Sequence, residues 1–419
     1  MVLAVGRIGL IGNNPAPNGC EGKNSRISRP DAARKPRYGP AQVCEVRKNL
    51  AACRPAGHSG RVHLAHLRLR DFRNYLRLDA DFSPGFHLLL GDNAQGKTNI
   101  LEAIYLMATL RSFRGVGSAQ MIRHAQKGYF VGGKVVGAAE HEIKMYWSAR
   151  ERNLALDGRP VKKLGDYLGT LRTVVFCTED LQLVKGTSRT RRRFLDLLLS
   201  QTQPGYLALL QRYMHCVRSR NALLKQPAPN PASLDSFSDE LVKLGNELIR
   251  HRRDLIPKLS LLARLAYRRI SHEAEELGMT YEPGVKVDFA VELAQMRDRE
   301  RRYRTTLIGP HRDDLQLLLH DKSAAQFGSE GQQRTLAIAL KMAQAEYLTG
   351  RLGSAPVLLI DDVMGELDAK RRNGLLPLLE RTRETSGQVF MTCTEENWPH
   401  ELGRELQRWQ VAGGTLAAR

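Results

Sequence analysis

The sequence predicts a mixed α/β fold interrupted by a basic helical insertion, and three observations predict it. Early in the chain a short apolar run, Phe86 to Leu90, leads through Gly91-Asp92-Asn93-Ala94-Gln95-Gly96-Lys97-Thr98 into an apolar helix. Late in the chain a second apolar run, Val357 to Ile360, ends in two carboxylates, Asp361 and Asp362. Between them, from about Asp180 to Arg301, apolar residues recur at helical spacing among many arginines.

Residues 1–61 mix Pro, Gly, Asn and Arg with no sustained period and read as a disordered basic segment, or as an upstream extension of a chain that properly starts near Val62. They hold 11 Lys/Arg against 3 Asp/Glu, a net +8, which leaves +12 of the overall +20 for the rest. Both parts are basic, so the expected partners are polyanions, nucleic acid before an acidic membrane surface. With 419 residues, 42% of them hydrophobic, the chain can bury a core in two or three folding units. No run of 18 apolar residues and no signal-peptide pattern is present, so a soluble, cytoplasmic protein is expected. Cys20, Cys44, Cys53, Cys177, Cys216 and Cys393 show no metal-ligand spacing and read as reduced thiols.

From Val62 the pattern turns to strands. Leu76, Leu78, Ala80 and Phe82 alternate with polar residues, and Pro84-Gly85 turns the chain into the apolar run before the loop. The loop fits G-x-x-x-x-G-K-S/T without a mismatch, a pattern whose glycines let backbone N–H groups close around a phosphate. Lys97 is expected on the β- and γ-phosphates, Thr98 on Mg²⁺, and Asn99 beside them. Strand-like runs follow at Tyr129 to Val136 and Glu142 to Trp147, then a hairpin at Asp157-Gly158 and a buried strand at Thr173 to Phe176.

In the basic stretch, the Pro-rich segment Gln226 to Leu234 separates two helices. Arg191, Arg192 and Arg193, with Arg114 from the earlier part, are the candidate DNA contacts. His311 with Asp313 and Asp314 follows Gly309-Pro310, where local ion pairs are expected in preference to a metal. Ser329-Glu330-Gly331-Gln332 then opens a helix expected to end before Gly350, its serine an N-cap and anion contact. Asp361 is placed to hold Mg²⁺ and Asp362 to polarise water, with Thr392 and Thr394 at the end of the last strand. A Ser-x-x-Gln helix start does not easily reach the Lys97 site of its own chain, which points to a head-to-tail dimer with ATP between the two chains. The 231 residues from Thr98 to Ser329 hold no extended heptads and exclude long coiled-coil arms.

GDNAQGKT, SEGQQR and LLIDDVMGELD together resemble an ABC-type ATPase head of the SMC-like branch. LRDFRNY, NILEAIYLMATLRSFRG, EDLQLVKG, RRRFLD, RNALLK and GPHRDDL are similar to strings of the RecF family, over nearly the whole chain from Val62. The resemblance implies a cytoplasmic, ATP-dependent DNA-binding ATPase that dimerises on ATP, acts with RecO and RecR, and helps load RecA on single-stranded or gapped DNA. It implies lobe I at 62–180 and 306–419 and a helical lobe II at 181–305. It makes Gly91 to Thr98 the ATP loop, Ser329 to Gln332 the trans signature, Asp361 and Asp362 the Mg²⁺ and water pair, Asp368 an interface aspartate, and Gln182 a glutamine-loop candidate. Gly365 and Thr178 depart from the family pattern, which favours serine and proline there. A transporter motor subunit and a small-molecule phosphotransferase are the alternatives; the basic charge argues against the first and the signature serine against the second.

Overall fold

Strand residues that are apolar on both faces must be covered on both faces, and this governs the architecture. The computed structural model describes residues 62–271, 276–363, 369–384, 387–394 and 406–419, all within one compact unit. The first 61 residues, and Gly365, Glu366, Leu367 and Asp368, lie outside the described residues.

The central sheet takes its strands from distant parts of the chain. β3 (Gly85–Leu90), β8 (Thr173–Phe176), β12 (Val357–Asp361), β13 (Gln388–Cys393), β14 (Leu406–Ala412) and β15 (Thr415–Ala418) assemble in the order β15-β14-β3-β13-β12-β8. β14, β3, β13, β12 and β8 run parallel, and β15 is an antiparallel edge. Alternate side chains feed two cores: Leu88, Leu90, Val174, Phe176, Leu358, Ile360 and Met391 enter one, and Leu89, Val175, Leu359 and Phe390 the other.

The second core is roofed by helix α1 (Lys97–Thr109) and by an antiparallel sheet. That sheet joins β1 (His63–Phe72), β2 (Tyr75–Asp81), β4 (Gly128–Val136), β5 (Glu140–Ser148), β6 (Arg152–Leu156) and β7 (Arg159–Pro160) in the order β2-β1-β4-β5-β6-β7. In β2 the expected alternation holds at Leu78 and Phe82, which are buried, whereas Leu76 is 61% exposed. The hairpin expected at Asp157-Gly158 is the β6–β7 turn, with both residues at positive φ.

The first core is covered by helices: α2 (Ser188–Thr202), α3 (Tyr206–Leu224), α4 (Pro231–Ile270), the short α5 (Phe289–Gln295) and α6 (Arg297–Tyr303), α7 (Glu330–Leu352) and α8 (Ala369–Glu384). The Pro-rich segment does separate α3 from α4, and Asn230 caps α4 by accepting from the Ser233 N–H. Within the helical stretch lies one strand, β9 (Leu277–Glu282), which pairs with β10 (Asp314–Leu319), itself paired with β11 (Lys322–Ser323). α7 runs past Gly350, where an end was expected, and stops at Leu352 because Gly353 takes the left-handed conformation that closes it.

A buried polar hub ties the helices together. Arg252, 2% exposed, donates to Asp313 (1% exposed) at 2.6 Å and to Asp196 at 2.8 Å. Asp313 also accepts the Gly284 N–H and the Tyr281 hydroxyl. His311 lies between the Tyr213 hydroxyl at 2.7 Å and the Thr306 carbonyl, and burial holds its pKa down at about 4. The GPHRDDL string thus has structural partners for each of its polar side chains. Asp313→Ala leaves the Arg252 guanidinium buried against one remaining carboxylate. We expect a loss of about 3–5 kcal/mol, read as a lower denaturation midpoint, with a clearly smaller loss for Asp314→Ala at the more solvated Arg191 pair.

Candidate nucleotide site

A loop that offers its backbone N–H groups to an anion cannot use them to hold itself, so other elements must. Among the described residues, the N–H groups of Asn93 to Gly96 are taken up by no hydrogen bond within the chain. Gly91 (φ +150) and Gly96 (φ +116) are required by space as well as by angle. A Cβ at Gly91 would lie 2.2 Å from the Val411 carbonyl oxygen, and one at Gly96 would meet the Asn74 amide and the Tyr75 hydroxyl. Ala94 also sits at positive φ.

The loop is held by its carbonyls. Asn74 Nδ2 donates to the Gln95 carbonyl at 2.7 Å and the Tyr75 hydroxyl to the Gly96 carbonyl at 3.1 Å. From the other end of the chain, the Gly414 N–H donates to the Gln95 carbonyl and the Gly413 N–H to Gln95 Oε1. Both of these glycines have positive φ, as a two-residue primed turn between β14 and β15 demands. β14 is itself fastened by Trp409, whose indole N–H donates to His87 Nδ1 at 3.1 Å. Burial holds the His87 pKa down at about 4, so the ring is neutral at pH 7 and its Nε2–H donates to the Ser83 carbonyl. Sequence reasoning missed these supports; Gly413-Gly414 between alternating runs was the available signal.

Lys97 opens α1, and its ammonium reaches the carbonyls of Gly91 and Asp92. Burial lowers its pKa, opposed by the charges of Asp362, Asp92 and Asp361. The Thr98 hydroxyl donates to Asp361 Oδ1 at 2.8 Å, and Thr392 Oγ1 donates to the same oxygen at 3.0 Å. Two side chains 263 positions apart therefore present adjacent oxygens, a donor set that suits Mg²⁺. Burial raises the Asp361 pKa, against the two hydroxyl donors and the Arg114 charge. Asp362 is exposed, at φ 54, with its N–H bonded to Thr392 Oγ1 at 2.9 Å. Asn99 Nδ2 donates to Asn74 Oδ1, and Arg114 Nη1 to Asn99 Oδ1 at 3.3 Å.

Arg114 is thereby held beside Asn99, next to the phosphate loop. Its loop is oriented by Glu102, wholly buried on α1, which accepts both Arg73 Nε and Nη2 at 2.8 Å and the Ser112 hydroxyl. Of the other arginines expected on DNA, Arg191 is paired with both oxygens of Asp314, and Arg192 donates to the Asp313 carbonyl. Arg193 alone of the three is exposed. Its pKa is lowered by burial of its stem and then by the like charges of Arg189 and Arg111, which crowd beside it. Gln182 is exposed, whereas Glu179 in the same turn comes close enough for its charge to act on Asp361.

Ser329 is exposed and its contacts belong to its own helix. It accepts the Gln332 N–H at 3.2 Å, while Gln332 Oε1 accepts the Ser329 N–H, a closed capping box. Gly331 leaves room for Arg371, whose guanidinium a Cβ there would meet at 2.7 Å. α7 belongs to the first core and α1 to the second, so the central sheet lies between the helix that Ser329 caps and the phosphate-loop helix.

A phosphate loop, a paired-carboxylate strand end and a remote capped helix start, all on one twofold-covered sheet, define an ABC-type ATPase head of the SMC class. In agreement, residues 63–411 match the family described as RecF/RecN/SMC N terminal domain. Curated relatives include "DNA replication and repair protein RecF" of Lactococcus lactis subsp. cremoris, 38% identical over 85% of this chain and 99% of that one. The RecF of Symbiobacterium thermophilum is 38% identical over 85% of this chain and 98% of its own. A solved structure titled as the recombination mediator protein RecF with ATP in the RecFOR pathway superposes with a TM-score of 0.79 at 28% identity, over 86% of this chain and 100% of that one. The Smc head domain of Pyrococcus furiosus shares the fold, with a TM-score of 0.52 at 14% identity over 85% of this chain and 96% of that one. The chain belongs to the RecF family.

The support from β14 and β15 yields a test. Gly414→Val puts a branched side chain at φ +77 and against the Asn74 carbonyl oxygen, 2.6 Å from its Cβ. We expect ATP affinity to fall roughly tenfold, about 1.4 kcal/mol, by nucleotide titration. Lys97→Ala in the same assay should lose more, about 2–5 kcal/mol, because it deletes a charge-assisted phosphate contact.

Proposed function

We propose that this protein is an ATP-switched DNA-binding factor of recombinational repair and replication restart. It dimerises head to tail on ATP, binds single-stranded or gapped DNA, and helps load the RecA recombinase in concert with RecO- and RecR-type partners. One observation supports the reading: two candidate phosphate-contacting surfaces of a single chain lie on opposite sides of the central sheet. The loop Gly91 to Thr98 with Asp361 is one; the exposed start of α7, Ser329 to Gln332, with its sheet between it and α1, is the other. Phe327, 68% exposed two residues before Ser329, adds an apolar surface suited to burial against a second copy. The names of the relatives support the pathway, and the RecF–ATP structure supports ATP as the nucleotide.

In this reading, the free N–H groups of the loop and the Lys97 ammonium bind the β- and γ-phosphates. Arg114 adds a cation next to the loop, so it serves the nucleotide. Thr98 and Asp361 would hold Mg²⁺, which neutralises phosphate charge when bound. Asp362 polarises the attacking water, and its short, exposed carboxylate suits a slow, DNA-stimulated ATPase that acts as a timer. Among the described residues no helix is long and apolar enough to cross a membrane. The division into lobe I (62–180 and 306–419) and lobe II (181–305) follows from the same proposal.

Ser329→Arg should bind ATP within a few-fold of wild type yet fail to dimerise by size-exclusion chromatography, because the long side chain fills the space meant for the partner's nucleotide. Mixing it with Lys97→Ala should restore weak ATP-dependent association, since one composite site then pairs an intact loop with an intact signature. Dimerisation of Ser329→Arg alone like wild type would refute the sandwich.

The crowded cations Arg111, Arg189 and Arg193 form one basic cluster near the boundary of the two proposed lobes. Replacing all three with alanine should reduce the slope of log affinity against log salt on duplex DNA by up to about three. Arg191→Ala should instead lower stability, because its guanidinium holds Asp314.

A further inference from the structure

α6 carries Arg-Asp-Arg-Glu-Arg-Arg-Tyr and is followed by Arg304. One of these side chains is turned fully inward. Glu300 is 0% exposed, and its carboxylate accepts Arg220 Nη2 at 2.5 Å and the Leu307 N–H at 2.8 Å. Arg220, itself buried on α3, completes its bonds with Thr306 Oγ1 and Ser238 Oγ. This pair fixes the rotation of α6 about its axis. With Glu300 locked inward, Arg299, Arg301, Arg302 and Tyr303 are held outward, and all of them are exposed.

The outward face has no internal use. Arg297 pairs with Asp235, but Arg301, Arg302 and Arg304 have no ion-pair or hydrogen-bond partner among the described residues. Arg304 closes the helix at φ 51, its N–H bonded to the Glu300 carbonyl. Glycine closes a helix there without strain, so a long cationic side chain at that angle is not what the backbone asks for. Tyr303, 66% exposed, follows Arg302 in the last turn of the helix. The helix dipole favours a cation or two in the last turn, yet it accounts neither for the arginine at positive φ nor for the exposed ring.

We infer that the last turn of α6 and its cap bind single-stranded nucleic acid, with Arg301, Arg302 and Arg304 on phosphates and the Tyr303 ring stacked on a base. Charge complementarity selects a polyanion, and the exposed aromatic next to exposed arginines selects unpaired bases, whose π-faces are free. The inference rests on the proposed DNA-binding function and adds a location to it. Neither the phosphate loop nor the Arg111, Arg189 and Arg193 cluster contributes a side chain to this surface.

The test uses the full chain with ATP and Mg²⁺, and fluorescence anisotropy on labelled oligothymidine and on a blunt duplex of equal length, across a salt series. Arg301→Ala, Arg302→Ala and Arg304→Gly combined should lower the salt slope on oligothymidine by about two, since a single strand contributes about 0.7 per phosphate contact. Tyr303→Ala should weaken oligothymidine binding on the order of tenfold with the slope and the duplex affinity unchanged, and Tyr303→Phe should retain wild-type binding. All four residues are exposed, so unchanged ATP affinity and melting temperature verify the fold. If wild type binds DNA and these variants match it, the α6 site is wrong while the DNA-binding reading stands. Should Tyr303→Ala be silent, or weaken both DNAs equally, single-strand recognition here is overturned. Failure of wild type to bind either DNA overturns the functional reading and this one with it.

Discussion

An anion cradle made of backbone must be held by something other than its own N–H groups, and the rest of the structure depends on that constraint. Among the described residues the loop keeps the N–H groups of Asn93 to Gly96 free, and the Gln95 and Gly96 carbonyls are bonded from outside, by Asn74, Tyr75 and Gly414. Each support needs a foundation. Asn74 and Tyr75 stand at the turn from β1 to β2, where Arg73 clamps the buried Glu102 of α1; Gly413 and Gly414 stand on β14, which the neutral His87 holds through Trp409. The antiparallel sheet and the chain's last hairpin are therefore parts of the nucleotide site, although neither carries a phosphate-binding motif.

The helical side obeys a different constraint, that a buried charge needs a full set of partners. Arg252 and Asp313 join α4 to the β10 entrance, Asp196 adds α2, and Arg220 with Glu300 joins α3 to α6. Such pairs add less net stability than their geometry suggests, because desolvation opposes them, but removing one partner is costly. Their effect is to fix which way each helix faces. A protein that must present cations to a polyanion benefits from that, since the outward arginines inherit the orientation of the inward ones.

The start of α7 and the phosphate loop are separated by the central sheet, and this separation supports the proposal that they serve different partners' nucleotides. Ser329 is satisfied by its capping box in a way that leaves the helix start exposed. Asp361 and Thr98, by contrast, are already joined within one chain by a 2.8 Å hydrogen bond, so the pair proposed to hold Mg²⁺ is brought together in the protomer.

Features set by a few consecutive residues were determined by the sequence alone. The eight-residue loop, the helix it opens, the buried strands β8, β12 and β13, the Asp157-Gly158 hairpin and the Ser329 cap all depend on local backbone angles and side-chain period, which neighbouring residues dictate. Tertiary structure alone decided what each polar side chain meets. Arg191, Arg192 and Arg193 are indistinguishable as a sequence string, yet Asp314, 123 positions away, takes the first and, among the described residues, no acid takes the third. The order β15-β14-β3-β13-β12-β8 interleaves the two ends of the chain, so Gly414 meets Gln95 across more than 300 positions. Pairing over such separations is set by which surfaces must be buried together and which charges must be compensated once buried, and neither is written in a short stretch of chain.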